Sequence, residues 1–444
     1  MIWVDLLVLL ACILLGSRLG GIGLGTVAAL GMAVIVFGFG RAPGSFPGEV
    51  LLIVLCVVTA AAALQAAGGL DVMVSVAEKV LRRHPQRITI LAPLISYVFT
   101  FVSGTGHVAY SLLPIIAEVA RKVKERPERP LSISVIASQA AVTASPLSAA
   151  TAGMVALFSK TGSFGLKDVL LVCVPSTLIG VLAGALSVRR MGVELEDDPV
   201  YQERLAKAEL AAPVDVDATA CAHPPPAGAK WAVALFIGAA LVITLLGLLP
   251  GLRPDFTIDG NTEKLSMVAS ISIVTLSATA LMLAVSKVKP ETVVSGSVMR
   301  AGVVAIISIL GIAWLGSTFF EGHKAQILGA ISVYVQQYPW LFAVALFTLS
   351  ILLYSQAATV AALMGVGLQL GIASPLLIAM FPAVNGYFFL PTYATMVAAI
   401  QFDSTGTTHV GRWVLNHSFM RPGLVVTSVS LAVGFAIVKL LYRS

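Results

Sequence analysis

The chain has 444 residues, of which 58% are hydrophobic and 11% charged, and its formal net charge is +6. Soluble domains carry roughly 25% charged residues, so the composition excludes an ordinary soluble enzyme and predicts a polytopic protein of the lipid bilayer. The Lys and Arg residues lie mostly in loops between apolar runs, as in other membrane proteins, so we infer no nucleic-acid partner. The four cysteines are isolated in the sequence, and we predict neither a disulfide framework nor a metal site.

Three apolar runs open the chain, at residues 2–16, 22–39 and 48–68. The first run contains Asp5 and lacks the basic start of a cleaved signal peptide, so we expect it to be a retained membrane span.

Residues 69–83 have a different pattern. Val72, Val76, Val80 and Leu81 recur at helical spacing, and most of the charged side chains fall on the opposite face. We predict an amphipathic helix lying in the membrane interface.

The segment 88–120 organises the first half. It is apolar and lies between two basic clusters, at residues 82–87 and 121–129, which mark the cytoplasmic side because Lys and Arg resist translocation. Each full crossing needs about 20 apolar residues, so this segment is too short to cross twice. Its centre, SGTGH at 103–107, is small and polar. We predict a re-entrant hairpin that enters from the cytoplasm and turns there.

The apolar run 131–158 is interrupted by TASPLSAAT at 143–151. A proline inside a helix removes one backbone hydrogen bond and clashes with another carbonyl, so Pro146 predicts a helix broken within the membrane. Residues 169–188 then return to the cytoplasm.

Residues 191–229 are polar and include PPPAG, which predicts a cytoplasmic linker between a first half, 1–190, and a second half, 230–444. The second half repeats the plan of the first. Its predicted elements are spans at 231–249, 266–286 and 296–318, an interfacial stretch at 321–337, a re-entrant hairpin at 338–371 with a polar centre at 354–359, a broken helix at 374–401 interrupted at 385–387 and 390–395, and a final span at 423–441.

The number of crossings gives the two halves opposite orientations. We therefore predict an all-α polytopic membrane protein with two inverted-topology repeats, each holding a re-entrant helical hairpin and a broken transmembrane helix. Both chain termini fall on the periplasmic side.

Inverted repeats with broken helices are the architecture of secondary transporters, whose substrate binds near the midplane. A helix break inside a membrane is tolerated only where it lines a cavity or packs inside protein, and the freed N–H groups of a half-helix attract anions. Two such elements per repeat suit an anion charged at both ends, with no cofactor. The candidate binding residues are Ser103, Gly104, Thr105, Gly106, His107, Ser145, Ser148, Thr151, Ser355, Gln356, Thr359, Asn385, Thr392 and Thr395.

Each candidate also has a structural interpretation. A single Ser or Thr in a membrane helix usually bonds its own preceding carbonyl or joins neighbouring helices. His107 is a functional candidate because it is ionisable and deep in the membrane by this topology, but a neutral histidine hydrogen-bonded at the hairpin tip fits as well.

The stretch 399–412 is a second polar concentration. Asp403, His409 and Arg412 could form a gate or a coupling site, or a structured loop with a local Asp–Arg pair. The spacing of Asp403, His409 and His417 is not diagnostic of a metal site.

The sequence resembles the Dcu family of bacterial anaerobic C4-dicarboxylate transporters across nearly its whole length except the loop around 191–229. The resemblance is carried by LQAAGGLDVM (64–73), SGTGHVAYSLLPII (103–116), RPERP (126–130), ASPLS (144–148), PSTLIG (175–180), GIAW (311–314), YPW (338–340), SQAA (355–358), LPTY (390–393), AIQFDSTGTTHVGR (399–412) and NHSF (416–419). It implies exchange or uptake of fumarate, succinate, malate or aspartate across the cytoplasmic (inner) membrane, and kinship with inverted-repeat ion transporters. The site residues above come from the helix breaks, not from the family.

Antiport and proton- or sodium-coupled symport both remain open. Few acidic groups lie at membrane depth to carry a proton, which favours exchange or coupling to a cation bound by backbone carbonyls. No HExxH motif or paired carboxylates indicate an intramembrane enzyme, and a passive channel would not need broken inverted repeats. Many transporters of this design are dimers, so a homodimer is the assembly to consider.

Overall fold

The computed structural model describes residues 2–19, 22–44, 46, 48–159, 164–207, 226, 228–258, 261–353, 355–390, 393–411 and 416–442. In the first half the helices are α1 (Ile2–Leu19), α2 (Gly23–Ala33, continued by a π turn at Val34–Gly38), α3 (Gly48–Ala66), α4 (Gly69–Arg83), α5 (Ile88–Ser103), α6 (Ala109–Lys122), α7 (Glu128–Val142), α8 (Ala149–Ser159), α9 (Leu166–Val188) and α10 (Pro199–Ala206).

The second half begins with α11 (Ala229–Leu248) and a short antiparallel pair, β1 (Asp255–Ile258) and β2 (Asn261–Lys264), which the all-helical prediction did not include. The remaining helices are α12 (Met267–Ser286), α13 (Pro290–Ser295), α14 (Ser297–Gln337), α15 (Trp340–Leu353), α16 (Gln356–Thr359, continued by a π turn at Val360–Met364), α17 (Gly365–Gln369), α18 (Ser374–Met380, continued by a 3-10 helix at Phe381–Phe389), α19 (Ala394–Phe402) and α20 (Met420–Leu441).

Six helices of the described chain are long and apolar enough to cross a membrane, or seven if the bent pair Leu51–Ala66 and Gly69–Arg83 counts as one span. That pair bends by 70° at Gly68, whose φ of +72° is readily adopted only by glycine. One of the six, Pro85–Ser103, covers the first arm of the predicted hairpin at 88–120. Its 19 residues suit a crossing as well as an arm, so the re-entrant course stays a prediction.

Helix α4 is amphipathic as predicted, but its buried face differs from the predicted one. The side chains that pack inward include Met73, Ala77 and Leu81, whereas Val76 and Val80 are exposed. The buried positions follow each other at four-residue spacing. Val74 is buried as well, although the predicted apolar face did not include it. A helix in a membrane protein can also present apolar side chains outward, as Val76 and Val80 do here.

Helix α14 also differs from the prediction, because it continues unbroken through the stretch 321–337 that was expected to lie in the interface. Its first part crosses α2 at very short range. A Cβ on Gly25 would lie 2.0 Å from the carbonyl oxygen of Ile307, and a Cβ on Gly311 would lie 2.0 Å from that of Gly25. Small residues let membrane helices approach this closely, so this crossing joins the two halves directly.

Four helix breaks fall where the sequence predicts them. Helices α5 and α6 are separated at residues 104–108, and α7 and α8 at 143–148. The 3-10 extension of α18 ends at Phe389, and α19 begins at Ala394. The interruption predicted at 385–387 lies instead inside that 3-10 helix, where only Asn385 has non-helical φ and ψ. Helix α15 ends at Leu353, and α16 begins after Ser355. The structure therefore places four interruptions in the predicted segments, and the interruptions bring the candidate residues together.

Candidate functional site

The first two breaks pack directly against each other. Gly104 has a φ of +73°, and a Cβ there would lie 2.3 Å from the carbonyl oxygen of Leu147, in the break between α7 and α8. The hydroxyl of Ser145 donates a hydrogen bond of 2.6 Å to the carbonyl of Phe101, the third-last residue of α5. The turn after α5 and the break after α7 thus form one junction.

The SGTGH turn is held by its own residues and by α7. The hydroxyl of buried Ser103 donates to the carbonyl of Thr105 over 3.2 Å. Gly106 lies against α7, because a Cβ there would be 2.5 Å from Nε2 of Gln139. His107 follows in a short 3-10 turn, Gly106–Val108, and only its backbone is described.

Ser148 and Thr151 have local structural roles. The Ser148 hydroxyl accepts a hydrogen bond from the amide of Thr151 and donates one to the Thr151 hydroxyl, both at 3.0 Å. The Thr151 hydroxyl also reaches back to the carbonyl of Val142 at 3.3 Å. These bonds satisfy backbone groups freed by the break, as helix caps do.

In the second half, Ser355 has the same kind of role. Its hydroxyl caps α16 by accepting from the amide of Ala358 at 3.2 Å, and its carbonyl accepts from the Thr359 hydroxyl at 2.8 Å. Thr359 thus follows the structural interpretation of a membrane threonine that bonds the carbonyl four residues before it. Thr392 lies outside the described residues.

Three buried amide side chains connect the halves. Nε2 of Gln356 donates to Oε1 of Gln139 at 2.9 Å and to Oδ1 of Asn385 at 3.2 Å. Asn385 is a kink inside the 3-10 helix at Phe381–Phe389, with φ −97° and ψ 22°, and its side chain contacts Gln356 of α16. Two of these residues were predicted and Gln139 was not. Its one signal in the sequence is a long polar side chain in an apolar run, one turn before the predicted break.

Thr395, in the first turn of α19, is 1% exposed. Its hydroxyl has no hydrogen-bond partner within the described part of the chain. A buried hydroxyl usually has a partner, so Thr395 retains a free hydrogen-bonding group where α19 packs on α6 and α7.

A small cavity adjoins the amide cluster on the side of α9 and α20. Its volume of about 10 Å³ has room for one water molecule. The side chains with polar groups that line it are Thr177, Asn385, Tyr387, Thr427 and Ser430.

Asp403 is buried inside its own loop. Its two carboxylate oxygens accept hydrogen bonds from the amides of Thr405 (2.9 Å) and Thr408 (2.6 Å) and from the hydroxyls of Thr405 and Thr407. His409 is half-exposed, with Nδ1 3.8 Å from a carboxylate oxygen of Glu128. Arg412 lies outside the described residues, so the predicted Asp–Arg pair cannot be described. The gate or coupling role of this loop stays a prediction.

The start of the predicted linker is folded, and it docks on α7. Arg126 lies between Glu128 at 2.6 Å and Asp198 at 2.5 Å, and all three side chains are buried. Glu128 also accepts from the Ser418 hydroxyl at 2.7 Å. Arg204 of α10 donates to the carbonyl of Ser404 at 2.8 Å. We call this group of contacts the clasp. It consists of the ion pairs of Arg126 with Glu128 and Asp198 and of the hydrogen bonds from Ser418 to Glu128 and from Arg204 to Ser404.

Opposite charges fix the ionisation of Arg126 and Asp198. Burial alone would raise the pKa of the Asp198 carboxyl, but the amide of Tyr201 and the guanidinium of Arg126 hold this pKa below its usual value. Burial works against the charged form of Arg126, yet Glu128 and Asp198 hold its pKa above the usual value. Arg126 and Asp198 are therefore both charged at neutral pH.

Comparison with known proteins gives a consistent result. Residues 1–442 match the family described as anaerobic C4-dicarboxylate membrane transporter. The chain is 40% identical over 437 residues to the anaerobic C4-dicarboxylate transporter DcuB of Escherichia coli O157:H7, with 97% of each chain covered. It is also 40% identical over 441 residues to the C4-dicarboxylate transporter DcuA of Wolinella succinogenes, with 98% of this chain and 99% of that one covered.

Two solved structures are similar in fold. The YdaH transporter of Alcanivorax borkumensis superposes with a TM-score of 0.58 at 15% identity, covering 99% of this chain and 97% of that one. MtrF of Neisseria gonorrhoeae superposes with a TM-score of 0.54 at 13% identity, covering 93% and 85%.

Proposed function

The chain belongs to the family of anaerobic C4-dicarboxylate membrane transporters, and from that premise we propose that it exchanges C4-dicarboxylates across the bacterial inner membrane by alternating access. Fumarate, succinate, malate and aspartate are the candidate substrates. The site lies where the broken helices of the two halves meet, at the SGTGH turn, the SPLS break, Gln356 and Asn385. The contact of Gln356 with Gln139, residues that lie in different halves, is the observation that supports this location most directly.

The chemistry of the site suits a dianion. Removing each carboxylate from water costs several kcal/mol, and one helix terminus returns roughly 0.3–2 kcal/mol. Amide and hydroxyl donors must supply much of the rest. Apart from His107, the candidate residues are neutral, so the substrate can be released again once the site opens.

The proposed topology has two halves of inverted orientation, with hairpins at 88–120 and 338–371 and both termini in the periplasm. The breaks support it, because unpaired backbone at membrane depth needs a cavity or protein around it, and Gly104 and Ser145 pack one break on another.

The decisive experiment is counterflow in proteoliposomes. Vesicles are loaded with unlabelled succinate, labelled fumarate is added outside, and uptake is compared with empty vesicles and with vesicles under an imposed proton or sodium gradient. Acceleration by internal succinate alone is the expected result for an exchanger. Accumulation only under an ion gradient would replace antiport by symport, and no movement in any format would contradict the dicarboxylate assignment.

A further inference from the structure

We propose that the side-chain amide of Gln139 is a substrate-binding group that donates a hydrogen bond to one carboxylate of the transported dianion. This inference rests on the proposed function and names one specificity-determining residue within its site. It follows from the direction of the hydrogen bonds in the amide cluster and from the burial of the one donor that they leave free.

The direction of these bonds is fixed at one end by a backbone carbonyl. Amide oxygen and nitrogen atoms are normally assigned only from their hydrogen-bond network. Here the carbonyl oxygen of Pro382, which can only accept, lies 3.1 Å from Nδ2 of Asn385. Asn385 must therefore present its amide nitrogen to Pro382 and its Oδ1 to Gln356.

The same reasoning continues along the cluster. Because Oδ1 of Asn385 accepts, Gln356 must offer Nε2, and this nitrogen also contacts Gln139 at 2.9 Å. Gln139 must then present Oε1 to Gln356. Its own Nε2 is consequently a donor that points away from the cluster.

This donor has no partner in the described part of the chain, although Gln139 is only 1% exposed. The hydroxyl of Tyr393 lies close enough to interact with Gln139, but it forms no hydrogen bond of ordinary distance and angle with Nε2. Buried donors are nearly always paired, so an unpaired one at a transport site indicates a ligand that supplies the acceptor.

Gly106 of the SGTGH turn packs closely on the face of the Gln139 amide. Of the Gln139 side-chain atoms, Nε2 comes nearest to the place of a Cβ on Gly106, at 2.5 Å. A side chain at 106 would collide with the amide, so glycine there lets the turn pack directly on α7. Since Oε1 of Gln139 already accepts from Gln356, the amide offers a ligand donors only, which selects an acceptor such as a carboxylate over an ammonium or a second amide nitrogen.

The test measures counterflow of labelled fumarate with two competitors, succinate and its half-amide succinamate, for wild type, Gln139→Met and Gln139→Glu. Met keeps the length of the side chain without the donor, and Glu replaces the donor with acceptors. Hydrogen bonds to charged groups are the stronger class, so we expect the half-saturation concentration to rise roughly 10-fold in Gln139→Met and up to about 100-fold in Gln139→Glu. The preference for succinate over succinamate should fall about 10-fold or more in Gln139→Glu, because the amide end of succinamate can donate to the new carboxylate.

The matched control is Gln86→Glu, the same substitution at an exposed position before α5, which should leave both constants unchanged. Thermal unfolding in detergent verifies that each variant folds. If the buried Glu prevents folding of Gln139→Glu, Gln139→Met alone tests the inference. A half-saturation concentration within twofold of wild type in both variants would overturn the assignment. Equal weakening of competition by succinate and by succinamate would also overturn it, because that result indicates a structural amide. Wild-type protein without counterflow would instead contradict the proposed function.

Discussion

At the scale of single residues, Gly104 shows how backbone geometry forms the site. Its positive φ and its contact with the carbonyl of Leu147 both require glycine. We predict that Gly104→Ala lowers the free energy of unfolding by more than about 1 kcal/mol and reduces transport. Thermal unfolding and counterflow measure the two effects.

Gly238→Ala is the matched control. Gly238 lies within α11, and a Cβ there meets nothing within 4 Å. This substitution should be neutral or should stabilise the protein by up to about 1 kcal/mol. Equal effects of the two substitutions would show that the turn is not constrained as described.

His417 gives a pH prediction. Its Nδ1 accepts from the amide of Phe419 at 3.2 Å, and Nε2 lies 3.4 Å from the carbonyl of Phe389, an arrangement that needs the neutral ring. Burial lowers its pKa below the usual 6.5, with a smaller raising effect from Phe389. A lowered pKa of a base in the folded state means that its stabilisation is present above pH 6.5 and is lost as the pH falls toward the folded-state pKa.

We therefore expect the melting temperature to fall when the pH is lowered below 6.5. His417→Gln, which keeps hydrogen-bonding capacity without a titrating ring, should remove part of that fall. An unchanged pH profile in this variant would exclude His417 as the cause.

At the scale of elements, the clasp binds the start of the linker to α7 and to the loop before α20. Breaking a buried ion pair on one side costs about 3–5 kcal/mol, because the remaining charge stays buried. We predict that Asp198→Asn lowers the free energy of unfolding by an amount toward the lower end of this range, because the amide can keep part of the contact with Arg126. Limited proteolysis should then cleave residues 199–207 faster.

Glu196→Gln in the same segment is the control. Glu196 pairs with Lys124 at the surface, where both side chains are mostly exposed. Exposed pairs are screened by water and salt, so this variant should be indistinguishable from wild type. If it is as sensitive to protease as Asp198→Asn, the segment is not held by the buried pair.

At the scale of the whole molecule, the re-entrant course of 88–120 has a direct test. In a background without native cysteines, a single Cys at 105 should resist a membrane-impermeant maleimide added from the periplasmic side. A Cys at 251, in the exposed connection between α11 and β1, should react. Full labelling at 105 that does not change with substrate would mean two short crossings instead of a hairpin.

The sequence by itself determined the class of protein, the family and the segments in which four helix breaks fall. The physical reason is that these features are local. Apolar length specifies a membrane segment, Pro146 and the glycines of SGTGH interrupt a helix, and hydroxyls such as that of Ser355 cap the next one. Each signal acts within a few residues, so it can be read without a partner.

Only the tertiary structure decided which of these residues meet. Gln139 and Gln356 are 217 positions apart, and nothing near either residue specifies the other. The same holds for Arg126 and Asp198, whose pair converts the start of a predicted linker into a folded segment. Such contacts depend on how helices pack through shape and buried polar groups, and those properties belong to the assembled chain rather than to any stretch of it.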